Sequence, residues 1–574
     1  MDSTPPTPST WYRIMLVAER LRVRSPARVR RRPAPPPEGA VIFGLAGTGY
    51  IAAAALLVFR FHVISTQALG LVANASYVLF SRDPHVAAIG FVGSPLPSLL
   101  VLPLLPLRAL WPALSDAGFA ACIVSAAFMA GAVYQLYNLL REGGVSRTPR
   151  LVLTFLFAFH PLIVYTAATG VAEAGYVYFL LLAGRHLARW LRDADTVGAI
   201  IAGLALAGAY LTRYDAVLAG ITVIAVVGIV SFTRGDSPPP LAGEGRVGAR
   251  ALRAVCDALI VGLPLAATAA LWAAAAWLVT GNALPQLLSN YGYLAQLDAL
   301  RTHGIVPANA IASPQRTVIQ LLALEPALPA AGVVLVIGWL SGRARASLAG
   351  IGLLGPLAIA IVAASVLDLT FPWLRQLVVV VPLVTVLVGL GLATERRSWL
   401  SPLAAGLMLL VAVPTTFGAM LAAQTGQEER PVLRSIAGRS TPGAGASTAV
   451  ATIVAQYLDG RSLADGSVLV DSFTGFPVIL ASRSPRQFII TSDRDFALAV
   501  ASPAAYGVRY LLVPAPTDGN SLGSLDALNH AFPGLWPSGA ASGALEHEFA
   551  GPDKRVEWRL YRVSAIALPP APAS

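Results

Sequence analysis

Arg82, Asp83 and His85 stand almost side by side in "LFSRDPHVAAIGF", within a chain that is otherwise mostly apolar. Charge near a bilayer is costly unless it is solvated, paired or used. A carboxylate such as Asp83 can take the proton of an attacking hydroxyl if it stays ionised and within hydrogen-bond reach. Arg82 or a bound cation would keep it ionised. The plainer role for Asp83 is to cap a short helix starting at Pro84. His85 is an alternative base or a pairing group. Further isolated charges follow: Glu173 in "YTAATGVAEAGYVYF", Arg213 and Asp215 in "YLTRYDA", His303 in a long loop, and Asp368 and Arg375 in "LDLTFPWLRQ". Arg213 and Arg375 are candidate anion binders, because a guanidinium gives forked bonds to phosphate oxygens. Simple ion pairs, Arg213 with Asp215 and Arg375 with Asp368, are the competing expectation. Small neighbours around Glu173 leave room for a ligand, or equally for close helix packing. Tyr291 and Tyr293, in "NYGYLAQLDALRTHG", suit either stacking on sugar faces or an interfacial aromatic belt.

The elements that must position these groups are membrane helices. The 574 residues are 56% hydrophobic and 12% charged, with mean hydropathy +0.66, and a chain this long and apolar cannot hide its surface from water. Apolar runs predict about eleven spans: 40–59, 117–140, 151–168, 172–190, 197–212, 215–232, 255–280, 328–342, 347–367, 372–393 and 400–423. Residues 1–39 hold Pro, Ser and an arginine run, and read as a disordered basic cytoplasmic arm ahead of an uncleaved anchor. With that arm cytoplasmic, the loops at 141–150, 185–195, 233–253, 341–347 and 394–399 fall inside, and each carries two or more arginines. The proline-rich run 95–110 fits this threading only as a helix in the outer interface. All the candidate site residues then fall on the opposite, extracytoplasmic side.

After residue 423 the composition turns polar. Strand-like runs at 467–471, 487–491, 509–514 and 557–563, with helical stretches between them, predict a small extracytoplasmic α/β domain over 424–574. The fold expected is therefore an α-helical polytopic membrane protein, its transmembrane domain at 40–423, with that α/β domain at its end.

Other chemistries find little support. The net charge of +11 is almost wholly arginine, with Lys554 the only lysine, and no aromatic-interleaved basic patch speaks for nucleic acid. "GLAGTG" at 44–49 lacks the Lys-Ser/Thr of a phosphate loop, HExxH is missing, and "EHE" at 546–548 stands alone. Cys122 and Cys256 both lie in apolar segments, where a thiol acts as a small apolar residue.

The order of parts resembles the C-type glycosyltransferases that use polyprenyl-phosphate sugars, in particular bacterial relatives of protein O-mannosyltransferases and aminoarabinose lipid A transferases. The residues that carry the likeness are Asp83 with the following "GFVGSPLPSLLVLPL", Glu173 after "HPLIVYTA", "LTRYDA", and "FPWLRQLVVVVPL". The resemblance implies an inverting transfer from a polyprenyl-phosphate sugar to a hydroxyl of a glycan, lipid or protein acceptor at the outer face of the membrane. It implies Asp83 as base, Glu173 as a second site acid, Arg375 at the carrier phosphate, and Arg82, His85, Arg213, Asp215, Tyr291, Tyr293 and His303 around the substrates, the last three on a loop that closes as a lid. Many members carry two adjacent acids in the first outer loop. Here Arg82 and Pro84 flank Asp83, which leaves open whether a divalent metal is bound. A transporter or flippase of lipid-linked glycans and a non-catalytic membrane assembly protein are the alternatives.

Overall fold

The computed structural model describes residues 37–234, 246–302, 314–333, 348–367, 371, 373–394, 400–438, 446–516, 522–538, 543–552 and 554–563. Contacts divide the chain into Met1–Val41, of which only 37–41 are described, and Ile42–Ser574. The longer helices are α1 (Pro37–Ala55), α2 (Thr66–Phe80), α3 (Pro95–Val101), α4 (Phe119–Glu142), α5 (Arg147–Ala158), α6 (Pro161–Ala168), α7 (Glu173–Asp193), α8 (Thr196–Thr212), α9 (Ala216–Thr233), α10 (Arg246–Thr280), α11 (Tyr293–Thr302), α12 (Pro314–Leu324), α13 (Leu348–Val366), α14 (Val380–Thr394), α15 (Leu400–Leu421) and α16 (Glu429–Ile436).

Among the described residues five helices are long and apolar enough to cross a membrane: Glu38–Arg60, Phe119–Glu142, Ala216–Thr233, Val247–Thr280 and Leu374–Gly391. A sixth arises if α5 and α6, bent by 57° at their junction, count as one span. The expected eleven are thus met only in part, for local reasons. The sequence of α7 is long enough, but Arg185, Arg189, Arg192 and Asp193 charge its second half. α8 has 17 residues, and the expected span 328–342 lies partly outside the described residues. The run 95–110 forms the short helix α3 and a 3-10 stretch, Leu102–Ala109. A piece this short does not cross a bilayer.

Charge sorts to the two ends of α7. At its C-terminal end Glu142 of α4 accepts hydrogen bonds from Arg185 Nη2 (2.6 Å) and Arg189 Nε (2.7 Å), and Arg192 Nη1 donates to the Glu142 carbonyl (2.7 Å). Arg234, just after α9, donates to the Trp190 carbonyl (3.1 Å). At the other end lie Glu173, Arg213 and Asp215. A rise of 1.5 Å per residue puts Glu173 and Arg189 about 24 Å apart. The helices between are packed by small residues and long apolar ones, with Leu136, Leu162, Leu180, Ala202 and Val223 all buried.

The C-terminal part adds α17 (Ala446–Asp459), β1 (Val468–Val470), α18 (Ser472–Ala481), β2 (Phe488–Ile489), α19 (Phe496–Ala501), β3 (Tyr510–Pro514), α20 (Ala527–Ala531), β4 (Gly543–Ala550) and β5 (Val556–Val563). The sheet order is β2-β1-β3-β5-β4, with β1 parallel to β2 and β3, and β5 antiparallel to β3 and β4. Four strands fall where the sequence predicts them. β4 escapes prediction because "GALEHEFA" alternates mostly exposed polar positions at the sheet edge. Alternation splits the sheet's two faces. Leu469, Ile489, Leu511 and Val513 pack with Ala499 and Leu528 in a cluster of their own. Val468, Val470, Phe488 and Leu512 join a cluster continuous with Leu69, Val72 and Tyr77 of α2. The sheet layer therefore shares one core with α2.

Candidate functional site

Glu173 opens α7 and is 3% exposed. The turn before it needs Gly170, whose φ of +72° is in the left-handed region and whose missing side chain faces Ala68 and the Cys122 main chain. One oxygen, Oε1, accepts from two guanidiniums: Arg213 Nη1 at 3.2 Å and Arg375 Nη1 at 3.3 Å. Arg213 ends α8, and its Nε and Nη2 hold Asp215 Oδ1 and Oδ2 at 3.1 and 2.8 Å. Its Nη2 also donates to Gln376 Oε1 at 2.5 Å. Arg375 lies in the 3-10 turn Leu374–Leu377 before α14. Its Nη1 also donates to Gln67 Oε1, and its Nε and Nη2 meet Glu428 at 2.6 and 3.1 Å. Tyr176 and Trp373 stack under the two guanidiniums at 5.1 and 4.5 Å.

The result is a row, Asp215–Arg213–Glu173–Arg375–Glu428, gathered from the ends of separate helices. The Arg213 end is the more open, at 16% side-chain exposure against 8% for Arg375. Next to Glu173 in sequence, Val171 and Gly175 line a small apolar cavity of about 10 Å³ with Leu71, Pro97, Val101 and Phe128 among others. Its one hydroxyl, Ser125, is spent on the carbonyls of Cys122 and Ala167.

Arg82 and Asp83 go elsewhere. Arg82 Nε donates to Asp493 Oδ2 (3.3 Å) and Nη2 to Asp495. Asp83 Oδ2 accepts from the Arg494 main chain at 3.5 Å, and His85 Nδ1 is 2.7 Å from the Asp83 carbonyl. Asp83 does not cap a helix: the next one, Val86–Ile89, has His85 at its N-cap without a side-chain bond. Gln67, which touches Arg375, lies at the start of α2, and Asp83 follows its end. Thirteen residues of helix separate Gln67 from Phe80 by about 20 Å. Asp83 and the Arg375 contact of the expected chamber therefore fall at opposite ends of α2, about 20 Å apart along the helix.

The loop tyrosines are tied down. Tyr291 donates to Asp471 Oδ2 (2.9 Å) and lies 5.0 Å from the Phe473 ring, while Tyr293 packs edge-on against Phe371 at 4.9 Å. His303 and Asp368 lie outside the described residues. Asp471 also accepts from the Phe473 and Ala527 main chains, and Asp526 beside it accepts from Thr474, Leu528 and Asn529. Burial and its Asp471 neighbour push Asp526 up to about 7, and burial likewise raises Asp471. A carboxyl held above its ordinary value stabilises the fold at low pH and loses that contribution as pH rises through the folded value. Amide protection of Val468–Val470, corrected for intrinsic exchange, is thus expected to fall between pH 5.5 and 7.5, and to fall less in Asp526→Asn. Protection that is flat or rising over this range contradicts it.

Gln67, Gln376, Glu428 and Glu429 are site residues that the sequence reading missed. For Glu428 and Glu429 a signal existed, an acidic pair in "QTGQEERP" just past the last apolar run. Among the described residues, no three His, Cys, Asp or Glu side chains gather in a way that would hold a metal ion.

No family model and no curated protein matches the chain. The solved structures that resemble it include two of an oligosaccharyltransferase of the archaeon Archaeoglobus fulgidus. One, in complex with an inhibitory peptide and a dolichol-phosphate, has 12% identity and a TM-score of 0.43, covering 91% of this chain and 74% of that one. The other, tethered to an acceptor peptide with an NVT sequon, has 13% identity, a TM-score of 0.44 and the same coverage. These likenesses are too distant to carry a residue-by-residue correspondence.

Proposed function

We propose that the protein is an extracytoplasmic-face glycosyltransferase that moves a sugar from a polyprenyl-phosphate carrier to an acceptor hydroxyl, with inversion. The observation that carries this reading is the pair of guanidiniums, part-buried Arg213 and buried Arg375, converging on Glu173 among apolar helices. A lipid phosphate has those two needs: hydrocarbon walls for its chain and forked donors for its charge. Without an anion the surrounding carboxylates hold the guanidiniums in place. The departing phosphate takes up charge, and preset donors stabilise it most at that moment.

Asp83 follows the end of α2 remote from Gln67, about 20 Å along the helix from the Arg375 contact, so this reading places the transfer at the arginines and not at Asp83. We assign Asp83 and Arg82 to holding the end of α2 against residues 493–495. The test is transfer from a panel of radiolabelled polyprenyl-phosphate sugars to membrane fractions. Wild type should transfer from at least one donor, and Asp83→Asn should stay within about tenfold of it. A loss of ~100-fold, the scale of a missing base, would return that role to Asp83. No transfer from any donor would end the whole reading.

One observation favours movement of a lipid-linked glycan instead: the bend between α5 and α6, since broken helices mark transporter sites. His160 at the bend lies 3.2 Å from the Leu324 carbonyl and 3.1 Å from the Thr416 hydroxyl. Thr415 and Thr416 donate to the Ala323 carbonyl at 2.7 and 3.1 Å. These bonds satisfy the end of α12 and account for the polar residues there.

A further inference from the structure

We infer that the carrier's phosphate binds on the Nε–Nη2 edge of Arg213, in the place that the Asp215 carboxylate holds in this structure, with its hydrocarbon chain along the exposed flank of α9. This rests on the transfer reading above and gives the donor a defined seat. A guanidinium offers that edge as a fork, and a carboxylate or a phosphate fills it in the same way, with two oxygens on two parallel N–H groups. Asp215 fills it here, at 3.1 and 2.8 Å.

The two acids on Arg213 differ in freedom. The Glu173 side chain is 4% exposed and that of Asp215 is 27%. Asp215 can therefore turn out to water, whereas Glu173 cannot. The guanidinium then stays where it is, because Glu173 holds Nη1, Gln376 holds Nη2 and the Tyr176 ring lies under its face. The phosphate takes the volume that the carboxylate gives up, so the seat needs no cavity in the unliganded protein. Tyr176 is a second, independent sign. It is 0% exposed, and its hydroxyl approaches Asp215 without the geometry of a hydrogen bond. A buried donor left without a partner is costly. A carboxylate has no oxygen beyond the two on the fork; a phosphate has more, and one of them gives this hydroxyl its acceptor.

The path of the chain follows from the helix that Asp215 heads. Ala216–Thr233 is long and apolar enough to cross a membrane. Leu218, Ile221 and Ile229 on it are 43%, 57% and 64% exposed, with Ala225 also exposed. Spacings of three and four residues put these on one side of the helix, and Asp215 stands one turn above Leu218. A headgroup at Asp215 thus lies at the end of a spanning helix, with an apolar stripe running from it into the lipid.

The experiment is full-length protein in zwitterionic nanodiscs, with Kd measured for undecaprenyl phosphate, undecaprenol and inorganic phosphate. Wild type is expected to bind the lipid phosphate and not the alcohol. Asp215→Asn keeps the shape and removes the competing charge, so it is expected to bind undecaprenyl phosphate about tenfold tighter, because a larger share of the protein has its fork free. Tyr176→Phe is expected to melt no lower than wild type without ligand, yet to bind about tenfold more weakly. A photoreactive group on the first isoprene unit is expected to label α9 between Leu218 and Ile229. Asp215→Asn that binds equally or more weakly overturns the exchange, and unweakened Tyr176→Phe does so if the asparagine variant does not fold. Labels confined to other helices overturn the path of the chain, and inorganic phosphate binding as tightly as the lipid overturns the lipid as source. A wild type that binds no undecaprenyl phosphate yet transfers sugar overturns this seat alone. One that does neither overturns the transfer reading.

Discussion

Arg375→Gln is expected to destabilise the protein by about 3–5 kcal/mol, the usual penalty for breaking a buried ion pair by removing one partner. Arg375 is 6% exposed and is the cation that lies between Glu173 and Glu428. Without it Glu428 loses its ion pair, Glu429 beside it loses its nearest cation, and Glu173 keeps Arg213 alone. Removing a single positive charge therefore leaves a group of acids that must either protonate or draw in water. Lysine is expected to recover only part of the loss. The guanidinium reaches Gln67, Glu173 and Glu428 at once, whereas an ammonium is a compact point charge without the planar fork. The check is the unfolding midpoint in detergent, read alongside transfer. A cost within about 1 kcal/mol, as at an exposed pair, would mean that water already reaches this row and that the closed site described above is mistaken.

Arg213→Lys should act on rate more than on fold. The lysine keeps a positive charge between Asp215 and Glu173, and Asp215 at 27% side-chain exposure retains solvent, so stability should change little. Transfer should nevertheless drop by about 10²–10³ in kcat, the range seen when one preset donor to a developing anion is removed. The loss should appear in kcat with KM for the donor little altered, because the forked bonds matter most as the phosphate leaves. A lysine variant with unchanged kcat would move the phosphate away from Arg213. A change confined to KM would make Arg213 a ground-state anchor only.

The helical scaffold was legible in the sequence because hydropathy is a local property. Each apolar run reports its own need for lipid or for a dry core, whatever its partners. Two strands of the polar tail were legible too: the short continuous Val and Leu runs in "SVLVD" and "RYLLVP", bounded by polar or turn residues, already state buried strands. The edge strand β4 was not, since its neighbour β5 supplies the order that its own residues do not express. Of the eleven expected spans, five or six are long and apolar enough among the described residues, because an apolar run fixes hydropathy but not where a helix begins or breaks. The run through α5 and α6 is continuous in composition and bent in space.

The candidate site divides in the same way. Residue type and the isolation of charge in apolar sequence determined that Glu173, Arg213 and Arg375 matter, because an unexplained charge in such a chain must be paired or used. Tertiary structure alone decided with what. Arg375 meets Glu173 across 202 residues, and Arg82 meets Asp493 across 411. It was the length of α2 that parted Asp83 from Arg375, and the turn after α15 that laid Glu428 against that arginine. Sequence sets which groups need a partner; the partner itself depends on which helix ends the packing brings together, and no local pattern of residues encodes that.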